Sequence, residues 1–135
     1  MVQIDDPTFK DALIRSSPGL FLQWLLPDIQ NLNGYVANWH VHAMSEKLIG
    51  LYWGHVRRLI INAPPRSLKT STCTTFFIPW LLGKDPGFQI MLVTYSDEFA
   101  EHLGNQVRKI MRHPEYKRLF TDTQLINEKA RSTRL

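Results

Sequence analysis

One cysteine, Cys73, stands in 135 residues, so no internal disulfide framework is available and a small cross-linked extracellular fold is excluded. There is no uninterrupted apolar run of about 18 residues and no leader-like segment of basic then apolar residues; the expectation is a soluble protein of a reducing cytoplasm. Repeats and low-complexity stretches are missing as well. Of the five histidines only His40 and His42 lie close in sequence, and two residues apart on a helix they point to different sides, so no metal site follows. Charge of one sign is also scarce in excess: 16 basic against 12 acidic residues leave a net +4, which permits contact with nucleic acid without requiring it. What the chain does have is core material, 44% hydrophobic and 11% aromatic residues, enough for one small domain.

The most informative segment is Ala63-Pro64-Pro65-Arg66-Ser67-Leu68-Lys69-Thr70, which ends in the Lys-Thr pair of a phosphate-binding loop. In such a loop the backbone N–H groups cradle phosphates, the lysine ammonium reaches the outer ones, and the following hydroxyl holds Mg²⁺. Lys69 and Thr70 fit those two roles. Pro64 and Pro65 carry no N–H, so the cradle comes from residues 66 to 71: Arg66, Ser67, Leu68, Lys69, Thr70 and Ser71, with Pro65 at its margin. Leu68 occupies the place of the glycine found in many such loops, where a left-handed backbone costs a leucine roughly 1–2 kcal/mol. The bare pattern arises by chance in roughly one chain in seven of this length, so its flanks decide its weight. Equally open on the pattern alone is an ordinary proline-rich loop.

Leu59-Ile60-Ile61 reads as a buried strand stopped by Pro64. A helix is expected from near Lys69 to Leu82, ending at Gly83, with Phe76, Phe77, Trp80 and Leu81 as its apolar stripe and a kink at Pro79. Its hydroxyl-rich first half, Thr70 to Thr75, has indifferent helix propensity and depends on packing. Phe88 to Thr94 reads as a second strand buried on both faces, in the manner of parallel strands beneath crossover helices. Ser96 is placed to cap a helix whose Phe99, Leu103, Val107, Ile110 and Met111 recur at helical spacing, and Pro114 ends it. The expected fold class is therefore α/β: a partial P-loop NTPase fold with parallel strands and flanking helices, preceded by an N-terminal helical segment. Residues 1–56 form that segment, as two or three helices over Phe9 to Leu26 and Val41 to Val56; 57–120 form the βαβα core; 121–135 form a polar tail.

Three blocks in order, LIINAPPRSLKT, IPWLLGKDPGFQIMLVTYSDEFA and VRKIMRHPEYKRLF, resemble the beginning of the ATPase domain of the large terminase subunit of tailed bacteriophages. NWHVHAMSEKL resembles that family's adenine-side segment more loosely, and the similarity covers about residues 35 to 122. The resemblance implies a phage or prophage DNA-packaging ATPase in the cytoplasm of a bacterial host. Its cofactors are ATP and Mg²⁺, and its partners are double-stranded DNA, the portal protein and the small terminase subunit. It assigns Lys69 to the phosphates, Thr70 to the metal and Arg66, as the catalytic arginine, to the γ-phosphate, where charge develops in phosphoryl transfer. Trp39 and His40 take the adenine-side positions, although Trp39 reads more readily as a core residue. Tyr95 and Ser96 fall where the family has a Tyr-Ser pair, and Ser96 serves equally as a helix cap. Arg108, Lys109 and Arg112 form a basic face that suits DNA phosphate or simply solvent.

Hydrolysis in this family also needs an acidic residue for the metal and a carboxylate that activates water, followed by a nuclease domain; nothing in Thr121 to Leu135 resembles these. The expectation is a truncated or split-gene fragment, and whether it is an enzyme stays open. A possible oligomer, a non-catalytic remnant and another P-loop ATPase acting on nucleic acid, helicase-like, are the alternatives.

Overall fold

Asp6 opens the first helix: its carboxylate accepts the Thr8 N–H at 2.9 Å, and Pro7 supplies the first helical φ. The structure is a computed structural model that describes residues 6–32 and 35–126. Helix α1 (Pro7–Ser16) is followed at once by α2 (Pro18–Gln30), which ends on Asn31 in the left-handed conformation. Helix α3 (Trp39–Tyr52) is capped by Asn38, whose side chain accepts the Trp39 N–H at 2.8 Å. After the loop come a π-helical turn (Ser71–Thr75), α4 (Phe77–Lys84), α5 (Asp97–Arg112) and α6 (Pro114–Leu119).

Helix α2 is the centre of the molecule. Phe21, Leu22, Leu25 and Leu26 are fully buried, each contributing about 1.5–3 kcal/mol by leaving water. With Phe76, Trp80, Leu81, Ile110, Met111, Tyr116 and Phe120 they form one continuous core. Phe21 meets Phe76, Tyr116 and Phe120 edge-on at 6.0, 6.0 and 5.7 Å between ring centroids. Two polar groups of this core are paired: the Trp80 indole N–H donates to the Arg15 carbonyl at 3.0 Å, and the Tyr116 hydroxyl donates to the Pro79 carbonyl at 2.7 Å.

The expected α/β fold is not formed. Among the described residues there is no strand and no sheet, and the protein is built of helices. The two segments read as strands keep only the local half of the signal. Phe88, Ile90 and Leu92 are 42%, 38% and 36% exposed while Met91, Val93 and Tyr95 are 86%, 79% and 88% exposed, so side chains alternate between a more covered and an open side. Leu59, Ile61 and Ala63 alternate with the more exposed Ile60 and Asn62 in the same way. Neither segment is buried on both faces. A strand exists only when its N–H and C=O groups pair with a neighbour, and among the described residues neither Leu59–Ala63 nor Gln89–Thr94 makes a backbone-to-backbone hydrogen bond. Apolar β-formers give the extended alternation; without a ladder they do not make a sheet.

The helix expected over Lys69 to Leu82 begins at Lys69 and carries a π turn within it. Pro79 offers no N–H, and its ring crowds the carbonyl four residues earlier, that of Thr75. The chain absorbs this by widening Ser71–Thr75 into a π turn, with Phe76 N–H donating to the Ser71 carbonyl at 3.0 Å, and restarting as α4 with Pro79 in its first turn. Ser96 caps α5 through Phe99 N–H at 3.2 Å, and Leu103, Val107, Ile110 and Met111 are its buried stripe. Most of the polar tail, from residue 127 on, lies outside the described residues.

Candidate functional site

The site is the loop between Ala63 and the π turn. Two non-glycine residues in it have left-handed backbones, Arg66 at φ 63° and Leu68 at φ 59°. The conformation expected at Leu68 is present; that at Arg66 was not foreseen. Each costs of order 1–2 kcal/mol, and such strain persists only where the surroundings over-determine it. Left-handed residues alternating with ordinary ones turn successive N–H groups toward one side, which makes a concavity for anions. Residues 64–71 line a depression of about 380 Å³ here, and no carboxylate is among them.

Three contacts hold the loop. The Thr72 N–H donates to the Leu68 carbonyl at 2.8 Å, joining the loop to the π turn. Lys69 folds back so that its Nζ donates to the Ala63 carbonyl at 3.4 Å. From α3, the His40 Nε2 lies 2.9 Å from the Ser67 carbonyl. His40, expected on the adenine side, thus reaches the loop backbone itself. Its neighbour Trp39 is 75% exposed at the start of α3, which removes the alternative that it is a core residue. The two rings meet edge to face at 6.1 Å.

The polar groups around the loop are incompletely satisfied. Among the described residues the buried Ser67 Oγ and Thr72 Oγ1 have no hydrogen-bond partner. An unpaired buried hydroxyl costs about 1–3 kcal/mol, and π turns recur at functional sites for this kind of reason. Arg66 is exposed and, among the described residues, forms no ion pair. Two cations without acidic partners beside oriented N–H groups suit a multiply charged anion such as a polyphosphate. Thr70 places one hydroxyl at the start of the helical turn, and among the described residues no group of three His, Cys, Asp or Glu forms a metal cage.

Behind the loop, Cys73 lines a hollow of mixed character with Leu48, Ile61, Phe77, Lys69 and Thr70, its Sγ 3.8 Å from the Met44 Sδ. Burial pushes its thiol up, more than the nearby Lys69 ammonium pulls it down, which disfavours the thiolate. Of the remaining candidates, Ser96 is engaged as the α5 cap and Tyr95 stacks on Phe99 at 5.3 Å. Lys109 and Arg112 are exposed on α5, and Arg108 donates to the Asn105 side chain at 2.7 Å.

Compared with known proteins, the chain matches no family model, no curated protein and no solved structure. Among the described residues no helix is long and apolar enough to cross a membrane.

Proposed function

We propose that the chain is the ATP-binding portion of a phage DNA-packaging motor of the large terminase class. The observation that carries the reading is the strained loop, in which Arg66 and Leu68 are left-handed around Ser67 directly ahead of Lys69 and Thr70. Natural chains keep such strain where a ligand needs the backbone so arranged. Resemblance of the three sequence blocks to terminases gives the polyphosphate its identity as ATP.

In this reading the N–H groups of residues 66 to 71 hold the β- and γ-phosphates, and Lys69 releases the Ala63 carbonyl to neutralise them. Arg66 extends toward the γ-phosphate, where its planar fork stabilises charge better than a lysine. The Thr70 hydroxyl would be a ligand to Mg²⁺ bound with the nucleotide, which would supply charge neutralisation across the phosphates. Exposed Trp39 gives the base a flat apolar surface. Double-stranded DNA meets the Lys109 and Arg112 face of α5, with the portal and small terminase subunit as protein partners in the bacterial cytoplasm.

A second reading, nucleotide binding without hydrolysis, is favoured by one observation: no carboxylate lines the loop to position water. Equilibrium dialysis of Mg·ATP against the full chain tests the binding step. Lys69→Ala is expected to weaken affinity at least tenfold with an unchanged circular dichroism spectrum, since it removes a charge-assisted contact of about 1.5–3 kcal/mol. Equal affinity in the two folded proteins refutes the proposal. Phosphate release by the full chain would exclude the second reading.

A further inference from the structure

We propose that His40 is a positioning residue, holding the Ser67–Leu68 peptide in the orientation that a phosphate cradle needs. The inference rests on reading the loop as such a cradle. A carbonyl oxygen only accepts, so the 2.9 Å contact between His40 Nε2 and the Ser67 carbonyl requires hydrogen on Nε2 and fixes that tautomer. In a trans peptide C=O and N–H point opposite ways, so drawing the Ser67 oxygen toward α3 turns the Leu68 N–H away from it.

Leu68 resists this arrangement. Flipping the peptide between Ser67 and Leu68 would carry the Leu68 φ from 59° to the ordinary negative side, relieving the crowding of its side chain and reversing the N–H. The other side of Leu68 is secured by Thr72 N–H on the Leu68 carbonyl. Among the described residues, however, the Ser67 carbonyl has no bond besides the one from His40. Its anchor is firm: His40 sits in the first turn of α3, just after the Asn38 cap and against the Trp39 ring. One side chain therefore opposes a flip that the leucine favours, and a glycine at 68 would make that opposition unnecessary.

The test uses the full chain, isotope-labelled, as wild type, His40→Ala, His40→Gln and the double variant His40→Ala with Leu68→Gly. The Leu68 ¹³Cα and ¹³Cβ shifts report its backbone directly. In His40→Ala they are expected to move from left-handed toward extended values, and in His40→Gln, which keeps a donor, to move less. Affinity for Mg²⁺-tripolyphosphate is expected to fall about five- to tenfold in His40→Ala, the effect of one neutral hydrogen bond, and to recover in the double variant. A merely structural histidine gives no recovery from a glycine at position 68. Unchanged Leu68 shifts in a folded His40→Ala chain overturn the proposal. If the shifts respond but wild type binds no tripolyphosphate, the phosphate reading fails while the hold of His40 on the peptide stands.

Discussion

Adding one methyl group at Gly83 tests how tightly the end of α4 is locked into the core. A Cβ there would lie 2.5 Å from both Cδ1 and Cγ of the Phe120 ring and 2.8 Å from Cδ2, well inside contact distance. Phe120 is 4% exposed, with its ring edge-on to Phe21 at 5.7 Å and against Tyr116 at 5.1 Å, so a shift of the ring disturbs both neighbours. Overpacking of this kind costs about 1–3 kcal/mol. Alanine gains up to about 1 kcal/mol in helix propensity, less in a last turn. Packing wins, and Gly83→Ala is expected to lose about 1–2 kcal/mol, roughly 3–8 °C in Tm. Gly104 supplies the contrast, because a Cβ there meets nothing nearer than the mobile Arg108 guanidinium at 3.7 Å. In the middle of α5, Gly104→Ala is expected to stabilise by about 0.5–1 kcal/mol. Urea and thermal unfolding followed by circular dichroism measure both. A Gly83→Ala protein as stable as wild type would refute the packing of α4 on Phe120.

Three further outcomes are expected. Arg118 bonds Asp11 of α1 and Glu115 of α6, and its hydrogen bonds hold both carboxyls below their ordinary values. Folded pKa values below the unfolded ones give stability that is complete above the unfolded carboxylate range and lost as pH falls through the folded values, so Arg118→Met should flatten the acid limb of a stability–pH curve; at neutral pH the exposed network is worth only about 0.5–1 kcal/mol. Tyr116→Phe strips the donor from the Pro79 carbonyl and should cost about 1–3 kcal/mol in urea unfolding, a loss that a solvent-exposed hydroxyl would not produce. Trp39→Ala removes an exposed ring, so unfolding should shift by no more than about 0.5 kcal/mol while Mg·ATP affinity falls; unaltered affinity would remove Trp39 from the base-binding surface.

The sequence was most legible where the information is local. The Ser96 cap and the spacing from Leu103 to Met111 define α5, and Pro114 marks its end because α6 must begin anew there. Phe76, Trp80 and Leu81 were recognisable as a buried stripe, yet the π turn before them was not. Its signal was the weak helix formers Ser71 to Thr75 placed four residues ahead of Pro79. Strand readings over Leu59–Ala63 and Phe88–Thr94 failed because a sheet is a relation between segments, while β-propensity and alternation belong to one segment alone. In the site, Leu68 could be expected to carry strain because its neighbours asked for glycine. Arg66 gave no such sign, and the His40 contact spans 27 residues of sequence that no local pattern connects.

The most direct measurement is a titration of Mg·ATP into the isotope-labelled full chain, following every backbone amide. Saturable shifts are expected at Arg66 to Thr72, with smaller ones at Trp39 and His40, and they should disappear in Lys69→Ala. Shifts that never saturate, or that gather elsewhere and survive Lys69→Ala, would contradict the assignment of this loop to nucleotide phosphate.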